Sequence, residues 1–194
     1  MKTLAVTFAS VAAAVAALSY SGTAHALGPL DIEIAARVGY ATNPSSSDFS
    51  TNPYGFGLGG RAGVSIFGIY GGISGIYYLG GSETVLGTSV SLHTAMEGFE
   101  AGYTLPIPFV KIRPLVGIGN STITGSGGGV SQSSSNLYLE PGVLVFVPIG
   151  ILTVGADINA LILPSVDTGF NSNGSNTTKA YVSPSFHAQV GVRF

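Results

Sequence analysis

The stretch Ala180-Tyr-Val-Ser-Pro-Ser-Phe-His-Ala-Gln-Val-Gly-Val-Arg-Phe194 decides how the rest of the chain is read. Val182, Phe186, Ala188, Val190, Val192 and Phe194 share one parity. Tyr181, Ser183, Ser185, His187, Gln189, Gly191 and Arg193 share the other. Successive side chains of a strand point to opposite faces, so this stretch has one apolar and one largely polar face. A strand with lipid outside and a polar lumen inside has this pattern and tolerates an apolar aromatic at its end.

Composition points the same way. Of the 194 residues only 8% are charged, against about 25% in an ordinary soluble domain. Beyond the first residues no apolar run approaches the roughly 20 residues of a membrane-spanning helix. Apolar residues are instead spread over alternate positions, as a barrel wall requires. A formal charge of −2 gives no electrostatic case for nucleic acid. The absence of Cys rules out disulfides, thiolate chemistry and a lipidated Cys. The first residues read as a targeting segment: Lys2, an apolar Leu4 to Leu18, then Ala24-His25-Ala26. Residues 1–26 are therefore expected to be a cleaved secretory signal peptide, and 27–194 the folded domain.

Eight strands are expected: Leu30–Ala41, Tyr54–Ile66, Ile69–Leu79, Thr88–Leu105, Phe109–Gly119, Leu137–Val147, Ile151–Leu163 and Ala180–Phe194. If Phe67-Gly68 is a two-residue turn, Gly57 faces Tyr78, Gly59 faces Ile76 and Gly63 faces Gly72. The fourth strand changes parity between Met96 and Phe99. A bulge at Gly98 would restore one outer face and keep Glu97 out of lipid. Residues 120–136 are expected to be the longest loop. Long connections after strands one, three, five and seven alternate with short turns, the asymmetry of an outer-membrane barrel. Tyr40, Tyr54, Phe56 and Tyr77 would girdle one interface, and Tyr103 and Phe194 the other.

The ending Val190-Gly-Val-Arg-Phe194, with Phe186 and Val192 on the same face as Val190 and Phe194, resembles the C-terminal assembly signal of bacterial outer-membrane barrels. The pattern over 27–194 resembles the small eight-stranded barrels of the OmpA/OmpX type. The resemblance implies an all-β fold, an eight-stranded antiparallel up-and-down transmembrane β-barrel in the outer membrane. It implies lipid and the barrel-assembly machinery as partners. No peptidoglycan-binding domain is read after the last strand, so cell-wall tethering is not carried over. A monomer is expected, and any surface ligand of the loops stays unnamed.

Asp31, Glu33, Arg37, Arg61, Glu100, Lys111, Arg113, Glu140, Asp157 and Arg193 all fall on inner parities. In a narrow, partly dry lumen such charges should pair. They make a structural plug or, alternatively, the lining of a narrow pore; eight strands leave a lumen that side chains just fill, which favours the plug. Taking 105–108 as a four-residue turn puts Glu100 opposite Arg113. Some barrels of this size modify lipids, including a deacylase with His, Ser and Glu facing lipid. Here Phe186-His-Ala-Gln189 has Gln where that pattern wants Ser, both His93 and His187 are expected inward, and no G-x-S-x-G occurs. No catalytic, cofactor-binding or metal-binding set is therefore expected.

Overall fold

A computed structural model describes residues 30–43, 51–85, 88–105, 107–164 and 180–194. The targeting segment 1–26 with its cleavage point, and most of the connections 42–53 and 164–179, lie outside the described residues. The strands are β1 (Leu30–Ala41), β2 (Gly55–Ile66), β3 (Ile69–Tyr78), β4 (Ser82–Val85), β5 (Thr88–Tyr103), β6 (Lys111–Gly127), β7 (Val130–Ile149), β8 (Leu152–Leu163) and β9 (Tyr181–Arg193). Every pairing is antiparallel. β1 pairs with β2 and β9, and β3 pairs with β5, so eight strands close on themselves. Closure satisfies the ladder groups without leaving an edge in lipid. The four-residue β4 adds only to the start of β5.

The two-period pattern is realised along the wall. On β9 the buried residues are Tyr181, Ser183, Ser185, His187, Gln189 and Gly191, while Val182, Phe186 and Val190 are exposed. On β7 and β8 the exposed set includes Val143, Val145, Val147, Val154 and Ile158. The outer surface is thus apolar while the lumen carries the polar groups, the reverse of a soluble lipid carrier.

The turn at Phe67-Gly68 has both residues at positive φ, and the register through it pairs Gly57 with Tyr78, Gly59 with Ile76 and Gly63 with Gly72. A Cβ on Gly63 or Gly72 would run into the Tyr70 ring, so this facing glycine pair is what lets Tyr70 lie against the wall. Gly150 and Ile151 make the turn between β7 and β8, leaving Pro148 and Ile149 in the strand.

Four expectations are corrected. β5 has no bulge at Gly98: its register runs unbroken from Tyr103 to Thr94 against β3, and from Gly102 to Val90 against β6. Leu92, Thr94 and Met96 therefore point inward, Thr94 and Met96 buried, while His93 and Glu97 lie on the outer face. Glu97 avoids the middle of the apolar belt by position. It pairs with Asn120, where the outer face of β6 changes from Val116 and Ile118 to Thr122, Thr124 and Ser126. A charge near the interface costs only about 0–1 kcal/mol.

Residues 120–136 are not a loop. β6 and β7 continue as a paired hairpin to Gly127↔Val130, with Gly128 and Gly129 at positive φ making the turn. Its Ser and Thr residues are β-compatible on a wetted sheet, so polarity alone does not make a loop. Tyr54 is not part of the girdle: Gly55 has φ 70, the alternation breaks there, and Tyr54 is fully buried in the lumen. Finally, the turn between β5 and β6 is longer than four residues. Leu105 bridges to Ile112, Phe109 takes φ 66, and the register pairs Glu100 with Gly117. Pro108 has no N–H to give a ladder, and pairing on the β6 side starts only beyond it.

Candidate functional site: the charged lumen

The inward residues of β1 run Asp31, Glu33, Ala35, Arg37, Gly39 and Ala41, from the end bearing the short turns towards the end from which the β6–β7 arm projects. They mark three levels of the interior.

At the turn end Arg193 meets Asp31 at 2.6 Å, both partly exposed. These two line an open cleft of about 160 Å³ together with Glu33, Ser65, Thr104 and Lys111. One step further in, Arg113 is fully buried. Its two terminal nitrogens donate to the two oxygens of Glu33 at 2.8 and 2.5 Å, its Nε donates to Thr104 at 2.9 Å, and Nη2 also reaches Ser65 at 3.4 Å. The guanidinium lies 4.0 Å from the Tyr70 ring centre and 5.1 Å from that of Phe146. A bidentate carboxylate plus aromatic faces is the fullest satisfaction Arg commonly finds. Arg113 does not pair with Glu100, the partner expected from the shorter turn; the four-residue register difference separates them.

The middle level holds Arg37, Arg61, Glu100, Asp157 and His187, drawn from five strands. Arg37 reaches Asp157 at 3.1 Å and Glu100 at 3.5 Å. Arg61 reaches Glu100 at 3.2 Å and Asp157 at 3.4 Å. Asp157 also accepts from Asn159 at 2.5 Å and lies 2.6 Å from His187 Nδ1, which Arg37 Nη2 also approaches at 3.0 Å. His187 Nε2 is 2.7 Å from the Tyr78 hydroxyl. Gly39 stands opposite His187, and a Cβ there would occupy the space of the imidazole ring. Glu140 lies just beyond, accepting from Ser185 at 3.1 Å. Its partner on β6 is Gly117, where a Cβ would meet the Glu140 side chain only in ordinary contact. His187, Tyr78 and Ser185 are members of this network that the charge inventory did not include; only their inward parity marked them.

The third level is apolar and aromatic. Ala41, Tyr54, Ile76, Tyr78, Met96, Tyr138, Leu161, Leu163 and Tyr181 form one buried cluster across the arm end of the lumen. Tyr54 and Tyr78 meet edge to face, centroids 5.6 Å apart. Of the ten charges sorted inward by sequence, the structure joins Arg37, Arg61, Glu100 and Asp157 in one cluster. It pairs Arg113 with Glu33 and Arg193 with Asp31, and places Glu140 beside the cluster and Lys111 at the open cleft.

A closed antiparallel wall with an apolar exterior and a charged interior defines a transmembrane β-barrel. The chain belongs to the outer membrane protein beta-barrel domain family, whose pattern matches residues 3–194. This membership places it in the bacterial outer membrane. Among solved structures it is similar to Neisserial surface protein A, at 18% identity and a TM-score of 0.59 over 86% of this chain and 98% of that one. It is also similar to a major outer membrane protein of Thermus thermophilus, at 12% identity and a TM-score of 0.61 over 88% and 100%. The N-terminal barrel of Pseudomonas aeruginosa OprF matches at 13% identity and a TM-score of 0.55 over 84% and 97%. At these identities the likeness is one of fold. No curated protein sequence matches significantly.

Proposed function

We propose that the protein is a non-conducting outer-membrane barrel with a structural or surface-interaction role, its lumen plugged by its own side chains. The observation that carries this reading is the aromatic layer stacked on the ion cluster: Tyr54, Tyr78, Tyr138, Leu161, Leu163 and Tyr181 are each at most 2% exposed. An ion crossing the lumen would have to displace both layers. A narrow pore is the second reading. It draws on Arg37 Nε, Arg61 Nε and Nη1 and Glu100 Oε2, buried atoms without a hydrogen-bond partner, which would suit a hydrated interior. Planar-bilayer recording on the refolded protein separates the two. Silence is expected, and steady unitary steps in wild type would overturn the plug.

No catalytic role is assigned. Asp157, His187 and Tyr78 form an acid–imidazole–hydroxyl chain, but the His187 and Asp157 side chains have no solvent exposure, so no substrate reaches them. Lipid and the assembly machinery are the proposed partners of the outer wall and of the C-terminal strand. Phe186 and Val190 project from β9, and Phe194 exchanges two backbone hydrogen bonds of 3.0 Å with Ile32. Removing Phe194 should lower the amount of heat-modifiable barrel in the membrane and leave exported, unassembled chain. Unchanged amounts would limit Phe194 to anchoring the strand end.

A further inference from the structure

Beyond the apolar belt, β4 to β7 continue as a four-stranded flap whose outer face carries hydroxyls in register. Ser82, Ser91, Ser126 and Ser131 form one row across the four strands. His93, Thr124 and Ser133 form the next, and Ala95, Thr122 and Ser135 the third. Neighbouring hydroxyls pair across the strands: Ser82 with Ser91 at 3.1 Å, Ser126 with Ser131 at 3.2 Å, Thr124 with Ser133 at 2.9 Å and Thr122 with Ser135 at 3.3 Å. In each pair one O–H is used between the partners. This leaves the other O–H and the remaining lone pairs of each pair for a further partner. The segment 120–136 contains no charged residue. At the lower margin Tyr77 and His93 lie together, ring centres 5.5 Å apart, and offer apolar ring faces beside the hydroxyl rows.

The face is the upward continuation of the lipid-facing wall: on β6 the same parity runs Val116, Ile118, Asn120, Thr122, Thr124, Ser126. What lies against it is whatever stands directly above the acyl chains beside the barrel. We propose that this face docks the saccharide headgroups of glycolipids in the surrounding leaflet. Regular neutral hydroxyls that both donate and accept match the vicinal hydroxyls of a sugar. A phosphate would call for Lys or Arg, and this face has neither among the described residues. The proposal stands whether or not the lumen conducts.

Hydrogen exchange on the refolded barrel tests it, in phosphatidylethanolamine/phosphatidylglycerol vesicles with and without rough-type lipopolysaccharide. Amides of 120–136 should exchange about tenfold more slowly with lipopolysaccharide present, while barrel amides stay unchanged. The protection should survive EDTA and raised salt. It should be lost in the triple variant Thr124→Val, Ser126→Ala, Ser133→Val, with heat-modifiability confirming that the variant barrel is folded. Four results would each overturn the proposal: equal exchange in both vesicles, protection retained in the variant, protection abolished by EDTA (a cation-bridged phosphate contact), or equal protection by free core oligosaccharide in solution.

Discussion

Arg113 and Arg37 are both buried arginines of one lumen, and they are held differently. Arg113 has a two-point carboxylate, a hydroxyl on Nε and two aromatic faces. Its partner Glu33 keeps some contact with water, its side chain being 15% exposed. In the middle level Arg37 and Arg61 share Glu100 and Asp157 through contacts of 3.1–3.5 Å, with one Arg37 nitrogen touching both Asp157 oxygens, and three guanidinium nitrogens find no partner. The turn-end pair is a self-contained strut. The middle level is a mutual arrangement in which every charge depends on several others, and Asp157 is its hub, touching Arg37, Arg61, Asn159 and His187.

The contrast is broken most severely at the hub. Asp157→Ala leaves two guanidinium groups sharing Glu100 in a buried site, and should destabilise the barrel by about 3–5 kcal/mol. Urea refolding titrations in lipid vesicles read the loss. A drop below about 1 kcal/mol, the value for a water-exposed pair, would mean that the middle level is hydrated. Glu33→Ala should cost less, about 1.5–3 kcal/mol, because Arg113 keeps Thr104, Ser65 and its aromatic faces and can draw water from the open cleft. A larger loss than at Asp157 would reverse the ranking of the two levels. The smallest effect sharpens the separation between them. In a double-mutant cycle, Glu100→Gln with Arg113→Met should be additive to within about 0.5 kcal/mol, since the two share no hydrogen-bond partner. Coupling above that would restore the register that pairs them.

That last pair shows where sequence reading stops. Glu100 and Arg113 are both correctly placed inward by parity, yet they lie in different levels because the turn between β5 and β6 is longer than its prolines suggested. A four-residue register difference preserves parity, so alternation cannot detect it. The turn at Phe67-Gly68 was legible because a two-residue connection admits one register. Gly98 misled for a related reason. The change of outer residues from Phe99 to Glu97, Ala95, His93 and Ser91 looks like a slipped strand, but it marks the height at which β5 leaves the lipid. Tyr54 was misread because a single left-handed glycine, Gly55, separates it from the strand whose pattern it seemed to share.

The wall of this protein is a local property. Alternation with period two is written in neighbouring residues, and with few charges it places Val190, Val154 and Ile158 outside and Arg37, Glu100 and Asp157 inside. The pairing of those charges is not local. It depends on the register of eight strands brought together by closure, on the glycines that clear space for Tyr70 and His187, and on the depth at which each strand passes from lipid to water. Those quantities arise only when the first strand meets the last, so the strut, the hub and the hydroxyl face become visible only in the closed barrel.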